Sequence, residues 1–542
     1  MFPTKTRGPA SVVDREELKK IEKMTVELAK DEAVPLEEAI DKAGFGLYSY
    51  LLICLTGLGI ISFVCISYGS TILIPASACE LKTTTGQQGA LAAAPVVGSI
   101  IGTLVWGYLA DTRGRKNMLM YSLLGAAKIN ASASISVNWI MLMLLQFVAA
   151  IFASGIYTMF MALLCESVPM VRRNMVVLLV TSIFLLSQGV MAVLAIPIIP
   201  LSFSNYLPIL GIYWNSWRTL VIVYSLPSIV AAICLYFMQE SPKFVYTKGD
   251  REQALQHIIA IHRVNNMRSR AEYPVKSLAV NLDKKSEEQS SAKDQIVPLF
   301  QAPLLKYTLI MMSLFIFQQI GAFAVWLPTI LNQFVSMIET GEGTNLTVCG
   351  VLRLGIENPV EPDPDAVPCA LNVTALLMVL LVGVLQSVVN SLMSLVVNRV
   401  GRRNLVMVIS SVCGVCGILI NVVPNAYGSI TLFGIFLVGI IVIGLYTAVI
   451  VALFPTNLRA LAIALPMMCG RIVTFAVVQI LNVLFSTNCD AGFYVFATVY
   501  ASSAIVASFL PDDRKLASPV APSQKKELIK IEEISQNNLT KL

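Results

Sequence analysis

Twelve apolar runs of about 20 residues leave this chain few folds. They lie near 48–74, 87–110, 118–136, 139–165, 175–199, 217–238, 305–333, 373–397, 404–423, 428–454, 461–486 and 491–510. A run of that length is what a helix needs to cross the hydrocarbon core of a bilayer. Composition agrees: 56% of the 542 residues are hydrophobic and 13% are charged, against about 25% charged in a soluble domain. The expectation is an all-α membrane protein with twelve transmembrane helices, too long for one small bundle and suited to two. The net charge of +6 comes from basic residues gathered in short loops. That pattern serves membrane topology and does not point to nucleic acid.

The loops orient the chain. Arg113, Arg115 and Lys116 follow the second run, Arg172 and Arg173 the fourth, Arg399, Arg402 and Arg403 the eighth, and Arg459 the tenth. The 239–303 loop is rich in Lys and Arg, and the loop after run seven is acidic, with Glu339, Glu342, Glu357, Glu361, Asp363 and Asp365. Basic loops stay inside, so both termini are expected in the cytoplasm. The first 46 residues are polar and the first apolar run is too long for a signal peptide, so the first span reads as an uncleaved anchor. The expected organisation is a cytoplasmic segment (1–46), a six-helix bundle (47–238), a cytoplasmic linker (239–303), a second six-helix bundle (304–510) and a cytoplasmic tail (511–542). Within the linker, Asp250 is placed to cap an amphipathic helix carrying Ala254, Leu255, Ile258, Ile259 and Ile261. Residues 283–295 read as a polar flexible connector. In the acidic external loop, Asn345-Leu-Thr and Asn372-Val-Thr are glycosylation acceptors. Cys349 and Cys369 share that loop and can close a disulfide there, with Cys79 and Cys489 as rival external partners.

One turn recurs. Gly107-Tyr-Leu-Ala-Asp-Thr-Arg-Gly-Arg-Lys116 closes the second run, and Asn398-Arg-Val-Gly-Arg-Arg403 follows 287 positions later. Asp111 aligns with Asn398, Gly114 with Gly401, Arg115 with Arg402 and Lys116 with Arg403. Pro169 and Arg173 likewise align with Pro455 and Arg459, 286 positions on. Two motifs at nearly one offset indicate parallel duplication of a six-span half. The second copy is degraded: Asn398 replaces Asp111, and Ala452 stands where Glu166 stands in the first half. A basic turn alone serves as a topological anchor. With Gly, Asp and the repeat present, a gating role is the better reading, carried mainly by the first half.

These motifs resemble the major facilitator superfamily. Gly107…Asp111-Thr-Arg-Gly-Arg-Lys116 is similar to its loop 2–3 signature. Glu166-Ser-Val-Pro169…Arg173, Glu240-Ser-Pro-Lys-Phe244 and Phe454-Pro-Thr-Asn-Leu-Arg459 resemble its sugar-porter and organic-ion branches. Leu36-Glu-Glu-Ala-Ile…Gly44-Phe-Gly46 and Cys79-Glu-Leu-Lys-Thr-Thr resemble the synaptic-vesicle-glycoprotein-2-like branch. The resemblance covers roughly residues 36–512. It implies alternating access, with Asp111 accepting hydrogen bonds from span eleven in an outward-open state. Arg115 and Arg173 are expected to pair with Glu166 and Glu240 at the cytoplasmic face, in contacts made in one state and broken in the other.

The cargo is less constrained. No Asp or Glu lies near the middle of any run, and Gln146 stands in the span-four region where proton-coupled relatives often have Arg. Coupling through an intramembrane carboxylate is not expected. The midspan cations are Lys128, which either lines a cavity or snorkels, and Arg471, which suits packing or gating. If both faced a cavity they would favour an anion. Further cavity candidates are Gln188, Gln318, Gln319, Trp326, Gln386, Asn390, Tyr446 and Gln479. Amides suit hydroxyl-rich or zwitterionic ligands, but each taken singly is more often a tie between helices. Gln318-Gln319-Ile-Gly321 resembles the sugar-porter span-seven motif, yet Ala322 and Phe323 follow where the family's usual Asn is missing, which speaks against a hexose. Cys413-Gly-Val-Cys416 lies inside a run without a second pair, so no metal is expected, and both histidines, His257 and His262, lie in the cytoplasmic loop. No nucleophile cluster, phosphate loop or cofactor motif marks an enzyme. The expected protein is a monomeric transporter of a small polar or organic-ion solute, in a plasma or vesicle membrane. The alternative is a transporter-fold vesicle or surface glycoprotein with an interaction or regulatory role.

Overall fold

The computed structural model describes residues 33–201, 203–208, 211–267, 272–279, 297–302, 304–339, 345–357, 371–454 and 458–511. Cys369 lies outside the described residues, as do the side chains of Asn398, Ala452 and Arg459. Helix dominates, because a peptide group in hydrocarbon must find its hydrogen-bond partner within the segment. Eleven helical stretches are long and apolar enough to cross a membrane. The remaining crossing, Arg115–Ser132, misses on composition, with Arg115, Lys116 and Lys128 in 18 residues.

In chain order the spans are Leu47–Leu81, Thr85–Arg113, Arg115–Ser132, Trp139–Ser167, Met170–Ala195 and Ser216–Tyr236 for the first half. Leu304–Ile338, Val373–Val400, Arg402–Leu419, a paired Ala426–Val438 and Val442–Leu453, Arg459–Thr487 and Cys489–Ser508 form the second. They are called spans 1 to 12 below. Spans 1, 7 and 10 are interrupted, at Tyr68–Gly69, at Gln318–Gln319 and by a tight turn at Gly439–Ile441.

Within the first half, span 4 packs against spans 1, 2 and 3, and span 6 against spans 1 and 3. Small residues permit the closest approach. A methyl at Gly98 would collide with the Phe147 carbonyl, and one at Gly102 with the Ile151 carbonyl. One turn on, the Trp106 indole donates to that same Ile151 carbonyl at 2.9 Å. The Gly98–Gly102 face therefore packs inside the bundle. In the second half span 9 packs on span 12 and span 7 on span 11. The halves meet along spans 5 and 8 and along spans 2 and 11. On span 8, exposed Leu377, Leu381, Leu385, Val388, Leu392 and Leu395 recur every three or four residues and form an outward apolar stripe.

The linker forms the expected helix, Arg251–Asn265, with the Asp250 carboxylate accepting the Gln253 N–H at 2.9 Å. Ala254, Ile258 and Ile261 are its buried face. A second helix, Leu36–Ala43, buries Leu36, Ala39, Ile40 and Ala43. Asn265 ties the two, donating to the Gly44 carbonyl at 2.8 Å and accepting the Tyr48 N–H at 3.0 Å. A short parallel pairing of Ala33–Val34 with Ser277–Leu278 completes this layer.

The acidic loop after span 7 holds structure that periodicity alone would allow but composition hides. Helix Val348–Glu357 turns Val348, Val351 and Leu352 inward. Cys349 is bonded to Cys489 at the start of span 12, not to Cys369. The shared loop suggested the wrong pairing, because this helix carries Cys349 across the bundle end to within a Cα–Cα distance of 5.5 Å of Cys489. Cys79 is also disulfide-bonded.

Candidate functional site

The duplicated turn is real at backbone level. Gly114 and Gly401 adopt φ/ψ of 103/147° and 87/145°, a region that disfavours any side chain. Each joins two successive spans. At Gly114 a methyl would also meet Glu240 Oε2 at 2.8 Å, because Glu240 caps the start of span 3. Its carboxylate accepts the backbone N–H groups of Arg115 at 3.1 Å and Lys116 at 3.0 Å, where a helix offers unsatisfied donors and positive potential. Gly107 has nothing within 4 Å of a built methyl, and Arg113 is exposed. Neither residue shows a role in the turn.

Around this cap the first half assembles a charge network. Arg115 Nε lies 2.6 Å from Glu166 Oε2, an ion pair in distance though not aligned as a hydrogen bond. The Ser241 hydroxyl donates to the same carboxylate at 2.5 Å. Lys116 Nζ donates to the Tyr236 and Met238 carbonyls at 3.0 and 2.5 Å. Two expectations need correction. Glu240 pairs with backbone donors, because it meets a helix start head-on. Arg173 pairs with Glu37 of the N-terminal helix at 2.9 Å, because that helix docks beside the start of span 5 and its Asp41 accepts the Met170 N–H at 2.7 Å. Asp111 is exposed and reaches only Arg115, at 3.5 Å. Beside the network, His257 Nδ1 lies 2.9 Å from Gln239 Oε1, and partial burial lowers its pKa from the usual value against the pull of Glu240. In the second copy Arg402 donates to the Ala448 carbonyl at 2.9 Å, and Arg403 is half-buried. The side chain of Arg459 is outside the described residues.

Toward the opposite end, neutral amides join the halves. Gln479 donates to the Gly89 carbonyl at 2.7 Å and Asn482 to the Thr85 carbonyl at 2.8 Å, both from span 11 to span 2. Gln188 of span 5 donates to the Ala324 carbonyl of span 7 at 3.1 Å. Deeper in the membrane Asn390 of span 8 donates to the Ser182 hydroxyl of span 5 at 3.0 Å.

Other amides tie helices within the second half. Gln318 donates to the Gly439 carbonyl at 3.1 Å and Gln386 to the Leu437 carbonyl at 3.0 Å. Gln319 donates to the Ile316 carbonyl at 2.6 Å and accepts from Thr474 at 3.0 Å. The Trp326 indole donates to the Val478 carbonyl at 3.3 Å, and Tyr446 is fully buried. The N–H groups of Gln318, Gln319, Gln386 and Trp326 are spent on the bundle, so they are not placed as free ligand contacts. Lys128 faces outward with Tyr121 and Leu124 on span 3, four residues from its end at Ser132, as a snorkelling lysine does. Gln146 is buried in the first half and donates to Asn130 at 3.0 Å. Asn345 is exposed, whereas Asn372 caps span 8 by accepting the Thr374 N–H at 2.8 Å.

The middle of the molecule holds a cation that motif reading undervalued. Arg471 of span 11 donates to the Thr103 hydroxyl of span 2 at 2.9 Å, and no carboxylate pairs with it among the described residues. Its charge reaches the hydroxyls of Tyr68 and Tyr157. Tyr68 sits at the break in span 1, and 36% of its surface is accessible. Phe63 packs on Tyr68, Tyr157 and Phe184 at ring separations of 6.0, 5.9 and 6.4 Å. Another pair escaped the sequence: Arg218, 1% exposed, meets Glu80 at 2.6 Å and donates to the Ser134 carbonyl at 2.6 Å. The Trp217 indole also donates to Glu80, at 2.6 Å. That network ties span 1, the turn after span 3 and span 6 together at the end away from the Gly114 turn.

A family model described as Major Facilitator Superfamily matches residues 59–354. Solute carrier family 22 member 11 of Homo sapiens is 26% identical over 212 residues, 39% of this chain and 35% of that protein. Synaptic vesicle 2-related protein of Xenopus laevis is 25% identical over 275 residues, 51% of this chain and 46% of that protein. The chain thus spans about half the length, or less, of these curated relatives. Among solved structures, the xylose transporter XylE from E. coli in a partially occluded inward open conformation superposes with a TM-score of 0.60 at 14% identity, over 86% of this chain and 100% of that one. The same transporter bound to 6-bromo-6-deoxy-D-glucose gives 0.61 at 13% identity, over 86% and 96%. At such identity the likeness speaks for the fold.

Proposed function

The chain belongs to the Major Facilitator Superfamily, and from that premise we propose that this multi-pass membrane transporter carries a small organic anion by alternating access. The observation that carries the reading is Arg471: a midspan cation without a carboxylate partner among the described residues, beside a partly exposed tyrosine and a group of aromatic rings. An unpaired charge is costly in a membrane and marks a functional site. Its hydrogen-bonding fork matches a carboxylate or sulfate, and the rings of Phe63, Tyr157 and Phe184 suit an apolar body. No Asp or Glu of the described residues stands in mid-span, so the cargo itself is the natural counter-charge, with no intramembrane carboxylate to couple protons.

The inter-half bonds described above lie midway or toward the end away from the Gly114 turn, which supports an inward-open state if the basic loops are cytoplasmic. Both termini are then inside, and exposed Asn345 is the better-placed glycosylation acceptor. The synaptic vesicle names among the relatives support a vesicle membrane.

Uptake into proteoliposomes tests the proposal, using a panel of aromatic carboxylates and sulfates beside neutral sugars and organic cations. Saturable anion uptake is expected, reduced at least tenfold in Arg471→Gln and partly retained in Arg471→Lys, with unfolding temperatures little changed. Uptake of sugars or cations, or anion uptake indifferent to Arg471, would overturn it. Transport of nothing in the panel would favour the interaction-protein alternative.

A further inference from the structure

Span 11 reaches span 2 through three side chains. Gln479 and Asn482 donate to the Gly89 and Thr85 carbonyls. Arg471 Nη1 donates to the Thr103 hydroxyl at 2.9 Å, and this bond differs in kind. A full positive charge rests on one neutral oxygen. A guanidinium carries five N–H donors, and this is the one hydrogen bond of Arg471 among the described residues. The hydroxyl is also aimed. Thr103 commits its own proton to the Ser99 carbonyl at 2.7 Å, one turn back, and Ser99 does the same to the Val96 carbonyl at 2.7 Å. Thr103 therefore shows Arg471 a lone pair and has no proton left to offer another group.

The helix that carries Arg471 is fixed in its own half. Thr474 donates to Gln319 Oε1 at 3.0 Å, and the Val478 carbonyl accepts from Trp326 at 3.3 Å. Gly470 packs on span 7, where a methyl would meet the Phe315 carbonyl at 3.0 Å. The long Arg471 side chain, rather than span 11, is what can change partner. Both Arg471 and Thr103 are half-buried.

We propose that Thr103 is the resting acceptor of Arg471, and that an arriving anion takes its place. The inference rests on the anion reading above. A carboxylate or sulfate can occupy two N–H groups of the guanidinium at once and brings charge as well as geometry, so it displaces a neutral hydroxyl. Displacement breaks the one bond of the three that lies at mid-membrane, and leaves Gln479 and Asn482 to hold spans 2 and 11 together. Binding of the anion and loosening of the halves are then one event. The linkage also runs the other way. While Thr103 holds Arg471, apparent affinity is lowered by the fraction of molecules in which Arg471 is released. Thr103 is thus a positioning residue, which sets affinity and couples it to movement without touching the cargo.

Equilibrium binding of benzoate and of phenyl sulfate to the purified full-length chain tests this, together with thiol labelling of Ala90→Cys, a half-buried position beside the Gly89 contact. Thr103→Val and Thr103→Ala should each bind the anions about three- to tenfold more tightly than wild type. Thr103→Ser, which keeps the hydroxyl, should bind as wild type does. Either anion should speed labelling of Ala90→Cys severalfold with Thr103 present, and labelling should be fast with or without anion once Thr103 is Val. Unchanged or weaker binding in both Thr103→Val and Thr103→Ala, with Arg471→Gln still abolishing it, would overturn the displacement and leave the anion reading standing. Binding of neither anion, or binding indifferent to Arg471→Gln, would overturn that reading and the displacement with it.

Discussion

The two ends of the molecule are held by different chemistry. At the Gly114 turn the bonds are charge-assisted and stay inside the first half: Arg115 with Glu166, Glu240 on the start of span 3, and Arg173 with Glu37. At the other end they are neutral and cross between halves, from Gln479 and Asn482 to main-chain carbonyls of span 2. The difference matches two tasks. Hydrogen bonds between membrane helices average about 0.6 kcal/mol, so two of them bias an equilibrium by about a factor of ten and can be broken in every cycle. The ion pair of Arg115 and Glu166 joins spans of a single half, and so suits the frame of a unit that moves together.

Breaking that frame should have the largest effect. Arg115→Ala leaves Glu166 with the Ser241 hydroxyl and only the weaker influence of Lys243, and loss of one partner from a buried pair costs about 3–5 kcal/mol. Its unfolding temperature should fall well below that of Asp111→Asn, whose exposed carboxylate makes only a 3.5 Å contact. Equal losses would remove the distinction between frame and surface.

At the opposite end Gly89→Ala is the sharper probe. Its added methyl meets Asn482 Nδ2 at 2.5 Å and Gln479 Oε1 at 2.8 Å. Both are side-chain ends that can withdraw, so the fold survives while the latch weakens by about 1–2 kcal/mol. Thiol probes placed at the mouth on that side should label severalfold faster, and Gln479→Leu with Asn482→Leu should reproduce the gain. Unchanged labelling would show that these amides do not hold the end closed.

The smallest expected effect is in pH. Burial lowers the His257 pKa, so the unfolded chain binds more protons than the folded one just below the ordinary value of about 6.5. Stability should therefore be full above that value and decline as pH falls through it. His257→Gln should flatten this part of the profile. A wild-type profile already flat between pH 7 and 5.5 would contradict the assignment.

Much of this was legible from one dimension. Each span is a continuous apolar run, and a chain in lipid has no alternative to helix there. The Gly114 and Gly401 turns were legible as well, because only a glycine-compatible conformation joins two spans so tightly. The site was less so. Gln318, Gln386 and Lys128 looked alike as polar residues in apolar runs, yet two tie helices together and one faces outward. The rotation of a helix about its axis decides that, and an almost uniformly apolar sequence barely records it. Glu80 and Arg218 stand 138 positions apart with no motif to link them. Cys349 chose a partner 140 positions away over one 20 positions away, because a short helix carried it across the bundle.

By itself, then, the sequence determined the solvent, the number of crossings, the duplication and the loops that bear charge. Those properties follow from local hydrophobicity and backbone sterics. The tertiary structure decided which polar groups are spent on the bundle, that Arg471 stands at the centre without a carboxylate partner among the described residues, and that one end is latched by amides while the other is framed by charge. Those properties depend on how helices are rotated and which ones meet, and packing between distant segments sets both.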